Sequence, residues 1–169
     1  LTLDAEALRD AGWQANGDSG NLDRVVDLLE RDWLIGWLDG RCEFGPRALG
    51  GRSLLASPLT DGVVARVNQA KSRASFEPVA ISVLADEVEH VFDLPEAARN
   101  LAELMLTTVV PIGGWRSRLA HIAHGDGTLR IQVVRRETSP RLHELLERFN
   151  RRTGVPLLVN TSYNPRGEP

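Results

Sequence analysis

Short apolar runs, separated by turns rich in glycine or proline, alternate along this chain with stretches of helical periodicity, and that alternation restricts it to a mixed α/β architecture. Trp33 to Leu38 and Val79 to Leu84 read as buried strands, Ser53 to Ser57 as a shorter one, and Val155 to Val159 as the last. Gly125-Asp126-Gly127 lies between two further strand-like runs, Leu119 to His124 and Thr128 to Val134, which predicts a β-hairpin. In its second strand Leu129, Ile131 and Val133 alternate with Arg130 and Gln132, so Arg130 faces away from the apolar set, toward solvent or a site.

Helices are predicted between these runs. Leu22, Val25, Val26 and Leu29 share one face of a helix over 21–31, with Asn21 as its cap. Thr60 to Ala70 carries Val63, Val64 and Val67 inward, and Pro95 opens a helix through Ala97, Leu101 and Leu104. The clearest helix starts at Ser139-Pro140, buries Leu142, Leu145, Leu146 and Phe149, and stops at Gly154. A sheet of mixed strand direction follows, rather than a purely doubly wound one. At 169 residues, without repeats or linkers, the chain suits one domain.

Glu43-Phe44-Gly45-Pro46-Arg47-Ala48-Leu49-Gly50-Gly51-Arg52-Ser53 follows the first apolar run. Glycines and a proline around two arginines hold guanidinium groups in one place, as an oxyanion pocket requires; the plainer alternative is a surface turn with solvated arginines. Among 20 Lys and Arg residues only Lys71 is lysine, a compact point charge where a guanidinium would not fit, or a leftover surface residue. Arg47, Arg52, Lys71, Arg73 and Arg130, with Asn160-Thr161-Ser162, fall mostly at strand ends, where open α/β sheets bind ligands. Such a group can stabilise charge in phosphoryl or adenylyl transfer without a protein nucleophile.

Other chemistries are poorly supported. There is no G-x-x-x-x-G-K-[ST] phosphate loop, no G-x-G-x-x-G turn and no G-x-S-x-G elbow, and Cys42 has no histidine beside it. His121, His124 and Asp126 have metal-like spacing, but in a strand the two histidines point to opposite faces, so no metal site is expected. A net charge of −3 argues against nucleic-acid binding through a broad basic surface. One cysteine, no signal-peptide pattern and no apolar run of roughly 20 residues point to a soluble, cytoplasmic protein. Leu1 in place of an initiating methionine, and an end at Arg166-Gly167-Glu168-Pro169, read as a piece of a longer protein.

Several motifs in register carry a more specific resemblance. Glu43 to Gly50, Val67-Asn68 to Lys71-Ser72-Arg73, His124 to Gln132, Asn160-Thr161-Ser162-Tyr163-Asn164 and Gly167-Glu168-Pro169 resemble the C-terminal region of the O-carbamoyltransferases of antibiotic and nodulation-factor biosynthesis. The resemblance implies a YrdC-like twisted mixed sheet flanked by helices over 33–169, its C-terminal part missing, preceded by a leading helical segment, 1–32. It implies that this domain makes carbamoyl adenylate from carbamoyl phosphate and Mg-ATP. A Kae1-like domain that is absent here, carrying iron, would be its partner and transfer the carbamoyl group to a hydroxyl of a natural-product acceptor.

Carried over by position, Arg47, Lys71, Arg130, Asn160 and Ser162 would contact carbamoyl phosphate or ATP, with Lys71, Arg47 and Arg130 as the catalytic cations. Lys71 and Arg73 also resemble the K-x-R pair, and Ser162 and Asn164 the serine-x-asparagine loop, of threonylcarbamoyl-adenylate synthases. Arg52 is a weaker candidate, suited to tying down the glycine loop. The chain departs from the family pattern at Glu77-Pro78-Val79-Ala80-Ile81, where a second arginine and a Phe-Ala-Pro run are usual, and at Gly51, where asparagine is usual. Pairing of Glu77 with Arg73 or another arginine would preserve the site; otherwise this domain would bind its anion weakly. A threonylcarbamoyl-adenylate synthase and a catalytically impaired YrdC-like binding module for RNA or a partner remain the alternatives.

Overall fold

A computed structural model describes residues 21–164. Most of the leading segment 1–32, and Gly167-Glu168-Pro169, lie outside the described residues. The elements in chain order are α1 (Leu22–Glu30), β1 (Ile35–Leu38), β2 (Arg52–Ala56), α2 (Val63–Ala70), β3 (Ala80–Leu84), α3 (Val88–Val91), β4 (Phe92–Asp93), α4 (Arg99–Glu103), β5 (Thr107–Pro111), α5 (Trp115–Leu119), β6 (Leu129–Val134), α6 (Pro140–Thr153) and β7 (Leu157–Ser162). The strands form one sheet in the order β1-β2-β7-β3-β6-β5-β4. β3 and β6 run parallel, and the other paired strands run antiparallel.

The helix readings at both ends match the structure. Asn21 caps α1, accepting a hydrogen bond from the Arg24 amide at 3.1 Å. Pro140 opens α6, and Gly154 closes it in the left-handed conformation with φ 67°. Leu142, Leu145, Leu146 and Phe149 are buried on one stripe of α6, each contributing roughly 1.5–3 kcal/mol relative to exposure. Ion pairs between the helices, such as Arg148 with Asp23 at 2.7 Å, are largely solvated and add little.

Three readings are corrected. The Trp33 to Leu38 run is not a buried strand: β1 is an edge strand in which Trp37 alone is buried, while Leu38 and the preceding Trp33 are exposed. An edge strand covered on one face needs one large apolar anchor, and Trp37 is that anchor. The hairpin does not exist either. Residues 115–119 form α5, the chain turns through Ile122, and β6 pairs with β3 and β5 instead. His121 and His124 therefore lie in turns, and β5, with its Thr-Thr-Val-Val run, is a strand that the periodicity argument missed. The helix after Pro95 is broken into a 3₁₀ turn (Glu96–Ala98) and α4, which bury Ala102 and leave Leu101 and Leu104 exposed.

β7 runs longer than expected and holds Asn160, Thr161 and Ser162 within the ladder between β2 and β3. This places the polar end of a central strand beside the glycine loop.

Candidate functional site

The loop after β1 is folded around one carboxylate. Glu43 Oε1 accepts hydrogen bonds from the amides of Leu49 at 2.6 Å, Gly51 at 2.7 Å and Arg52 at 3.2 Å, and Oε2 accepts from Arg52 at 3.1 Å. Burial pushes the Glu43 carboxyl up, but the backbone amides of Glu43, Gly51, Leu49 and Arg52 outweigh it and hold the group below the ordinary glutamate value. Glu43 is thus a clamp that a search for cationic and nucleophilic residues passes over. Its signal was a carboxylate heading a glycine-rich run with several amides to satisfy.

The glycines serve close approach. A Cβ on Gly51 would lie 2.5 Å from the Arg41 carbonyl oxygen, and one on Gly50, whose φ is +101°, would lie 2.7 Å from Leu142 of α6. Trp37 Nε1 donates to the Gly50 carbonyl at 2.9 Å, and the Gly50 amide donates to Ser53 Oγ at 3.1 Å. The loop is fastened to β1, β2 and itself.

Beneath it lies a buried polar network across the three central strands. Asn160 Nδ2 on β7 is within donating distance of the Ala48 carbonyl at 3.1 Å, Ser82 Oγ on β3 at 2.8 Å and Gln132 Oε1 on β6 at 3.2 Å. Ser82 Oγ donates to Gln132 Oε1 at 2.7 Å, and Gln132 Nε2 donates to the Leu49 carbonyl at 2.8 Å. Two loop carbonyls are thereby tied to the sheet centre directly after Arg47. Asn160 is fully buried, and its Oδ1 has no hydrogen-bond partner. An orphaned buried acceptor of this kind is uncommon and marks a place where a donor fits.

Two guanidinium groups converge here, and neither has an ion-pair partner among the described residues. Arg47 is half-buried with its Nε enclosed and unpartnered. Arg130 pairs in register with Ala80, and Ala80 with Asn160, which puts Arg130 and Asn160 in one row on the same face of the sheet. Burial first, and then the Arg47 guanidinium, pull the Arg130 pKa below its ordinary value, so the two cations repel each other. A cleft of about 310 Å³ opens beside Arg47, with Glu43, Arg52, Ser162 and Asn164 among its walls.

Lys71 caps the C-terminal end of α2 and is 6% exposed. Its ammonium contacts the Ser162 carbonyl, Ser162 Oγ at 3.2 Å, and the carbonyl and Oδ1 of Asn164, both at 2.9 Å. Burial and the Arg73 guanidinium push Lys71 down to about 8, against a smaller upward pull from Glu77. A second cavity, of about 330 Å³, lies on the Lys71 side, lined by Leu54, Ala70, Tyr163, Ser162 and Asn164. Ser162 and Asn164 therefore form a wall shared by both cavities.

Arg73 is engaged elsewhere. Its Nη2 donates to Asn68 Oδ1 at 2.8 Å, and its Nε lies 3.6 Å from Glu77 Oε2. The structure thus brings together Arg47, Arg130, Asn160, Ser162, Asn164 and, across the wall, Lys71, while Arg73 is turned into its own loop.

Other candidate features are used structurally. His121 Nε2 meets the Pro58 carbonyl at 2.9 Å, His124 Nδ1 meets Thr128 Oγ1 at 3.1 Å, and Asp126 accepts from the Thr128 amide at 3.0 Å. Among the described residues no group of three or more His, Cys, Asp or Glu side chains is arranged to hold a metal, and no helix is long and apolar enough to cross a membrane. A larger cavity of about 460 Å³ lies behind the glycine loop, lined in part by Arg41 and by Asp39 and Glu103, which pair with Arg141 and Arg135.

The mixed seven-stranded sheet flanked by helices makes this an α/β domain of the YrdC-like kind. Its fold is shared with Sua5 of P. abyssi, solved in complex with L-threonine (TM-score 0.59, 19% identity, covering 88% of this chain and 40% of that one). It is also shared with full-length HypF, solved in a phosphate- and nucleotide-bound form (TM-score 0.62, 19% identity, covering 98% of this chain and 24% of that one). The family described as Carbamoyltransferase C-terminus matches residues 26–169, and the chain belongs to it. Nodulation protein NolO of Bradyrhizobium diazoefficiens is 40% identical over 167 residues, covering 92% of this chain and 30% of that protein. The 3'-hydroxymethylcephem-O-carbamoyltransferase of Amycolatopsis lactamdurans is 36% identical over 146 residues, covering 86% of this chain and 27% of that protein. The chain thus spans less than a third of the length of these two curated relatives.

Proposed function

We propose that this chain is the carbamoyl-activating part of an O-carbamoyltransferase, forming carbamoyl adenylate from carbamoyl phosphate and ATP. The observation that carries this reading is that the Arg47 and Arg130 guanidiniums repel each other and make no ion pair among the described residues, with a cleft opening beside Arg47. Two half-buried guanidiniums that pair with no carboxylate among the described residues favour an oxyanion ligand, because an incoming anion relieves their repulsion. The Carbamoyltransferase C-terminus family and the kinship with the cephem O-carbamoyltransferase supply the carbamoyl group as the chemistry those cations serve.

In the reaction proposed, the carbamoyl oxygen becomes bonded to the α-phosphorus of ATP and pyrophosphate leaves. The balance is one water consumed and one inorganic phosphate released for each carbamoyl phosphate. Every anionic group in that sequence needs positive charge rather than a protein nucleophile. Arg47 and Arg130 hold phosphate oxygens, and Lys71 fixes Ser162 and Asn164 as the partition between two ligand compartments. Asn160 holds the arginine-bearing loop at its register through the Ala48 carbonyl.

Magnesium fits as a companion of the nucleotide rather than as a caged ion. Among the described residues the carboxylate lining the cleft is Glu43, which is already occupied by backbone amides, so magnesium would be held mainly by phosphate oxygens, where it would neutralise charge. The iron-bearing Kae1-like domain, the natural-product acceptor and a cytoplasmic setting belong to the same proposal for the whole protein. The second cavity, with Leu54 and the partly exposed Tyr163 ring, offers apolar contact that a phosphate cleft lacks.

The test is calorimetric titration of the chain with carbamoyl phosphate and with acetyl phosphate, which lacks the amide. Saturable binding of carbamoyl phosphate that is lost in Arg47→Ala is expected. Equal affinity for the two, unaffected by Arg47→Ala, would overturn the assignment.

A further inference from the structure

The loop from Lys71 to Pro78 is wound around one buried side chain, Asn68 of α2. Asn68 Nδ2 donates to the Ser75 carbonyl at 3.1 Å and the Glu77 carbonyl at 2.8 Å, and its Oδ1 accepts from Arg73 Nη2 at 2.8 Å. The Arg73 amide returns to the Asn68 carbonyl at 2.8 Å, and the Glu77 amide donates to the Ala74 carbonyl at 3.0 Å. Ser72, at φ 53°, makes the left-handed step that reverses the chain between the two cations. This framework fixes the position of Arg73 and Glu77 whatever occupies the neighbouring cleft.

Within it, Glu77 Oε2 lies 3.6 Å from Arg73 Nε. That nitrogen is buried without a hydrogen-bond partner, so the carboxylate compensates its charge without a well-formed hydrogen bond. Glu77 is also near enough to Lys71 to act on its charge in opposition to Arg73. Lys71, Arg73 and Glu77 thus share one electrostatic neighbourhood, with Lys71 on the wall of the second cavity.

We propose that Glu77 is a built-in counter-anion that sets the affinity of this site for oxyanions, by neutralising Arg73 beside Lys71. The proposal rests on the oxyanion-binding reading above and names the residue that limits it. An incoming phosphate meets the field of Arg47, Arg130 and Lys71, whereas the fourth cation is cancelled from within its own loop. The consequence is a site tuned for moderate affinity, in which a product phosphate leaves readily.

Glu77→Gln keeps the backbone hydrogen bonds that Asn68 and Ala74 make with residue 77 and removes the charge alone. Because the Glu77 side chain is more than a third exposed, its removal is expected to tighten oxyanion binding by only about two- to fivefold. The experiment measures dissociation constants of carbamoyl phosphate and of inorganic pyrophosphate for the unaltered chain, Glu77→Gln, Arg73→Met and the double variant, with thermal melts as the fold control.

Tighter binding of both ligands by Glu77→Gln, abolished when Arg73→Met is added, is the expected result. A gain that shrinks in high salt is expected with it. Unchanged affinity in Glu77→Gln, or a gain that survives Arg73→Met, overturns the proposal. A gain for pyrophosphate with no binding of carbamoyl phosphate by any form upholds the counter-anion and overturns the carbamoyl reading.

Discussion

Lys71 Nζ lies 2.9 Å from both the carbonyl oxygen and the side-chain Oδ1 of Asn164, 93 residues further along the chain. That tie joins the end of α2 to the residues following β7 and makes one ammonium the support of the wall between two cavities. Three N–H donors satisfy the surrounding oxygens only while the group is charged; a neutral amine would turn its lone pair on one of them.

A pH dependence follows. Lys71 is depressed to about 8, so it carries its charge below that value and loses it as pH rises through it. Carbamoyl phosphate affinity is expected to hold below pH 8 and to fall above it. In Lys71→Met the step near 8 disappears, and affinity is lower throughout by about tenfold or more, the worth of a charge-assisted hydrogen bond. Calorimetric titrations from pH 6.5 to 9.5, a range chosen to bracket roughly the shifted pKa, check both points; the same step in Lys71→Met would assign it to another group.

Arg47 and Arg130 give a prediction with opposite signs for binding and stability. Arg47→Ala removes a partner for phosphate, weakening carbamoyl phosphate binding by about tenfold or more. It also relieves the repulsion that lowers the Arg130 pKa, so the thermal midpoint is expected not to fall. A large drop in melting temperature together with lost binding would show that Arg47 is a structural residue instead.

Glu43 is the loop's clamp. Glu43→Ala leaves the Leu49, Gly51 and Arg52 amides without their acceptor, and about 1–3 kcal/mol is the expected loss for each that stays buried. Its folded-state pKa is lowered, so its contribution is complete above the ordinary value of 4.5 and is lost as pH falls toward the folded-state value. Acid unfolding monitored by circular dichroism should show a flatter profile below 4.5 in Glu43→Gln than in the parent chain. Identical profiles would contradict the clamp.

Gly51 and Phe149 test the packing around the site. A Cβ at Gly51 meets the Arg41 carbonyl oxygen at 2.5 Å, so Gly51→Ala must shift the loop at a cost of about 1–3 kcal/mol. Any larger side chain at this position would require a different path for Arg41. Phe149→Ala, at a fully buried position, is expected to cost about 3–5 kcal/mol in urea unfolding. Wild-type stability in either variant would contradict the packing described.

The long helix α6, the cap at Asn21 and the strand positions of Val79 to Leu84 were legible in the chain because capping chemistry and periodicity act locally. The false hairpin shows the limit. Leu119 and Ile122 are apolar enough for a strand, but they are buried by α5 and the turn after it, whereas β6 takes its partners from distant segments. Nothing local distinguishes those outcomes. The cations and the polar run Asn160-Thr161-Ser162 were legible by residue type and place at strand ends, and the resemblance added individual roles for Asn160 and Ser162. The Asn160, Ser82 and Gln132 network was not legible, since Ser82 and Gln132 become neighbours only when β3 and β6 pair. The pairing of Arg73 with Glu77 was among the readings of the sequence, whereas the hydrogen bond from Arg73 to Asn68 was not legible.

The most direct measurement of the central claim is pyrophosphate release from Mg-ATP by this chain, with and without carbamoyl phosphate, alongside Lys71→Ala. The account predicts pyrophosphate and a carbamoylated AMP product only when both substrates are present, with one phosphate released per pyrophosphate, and neither product from Lys71→Ala. Pyrophosphate release that is indifferent to carbamoyl phosphate, or no product from a folded chain that binds both substrates, would contradict it.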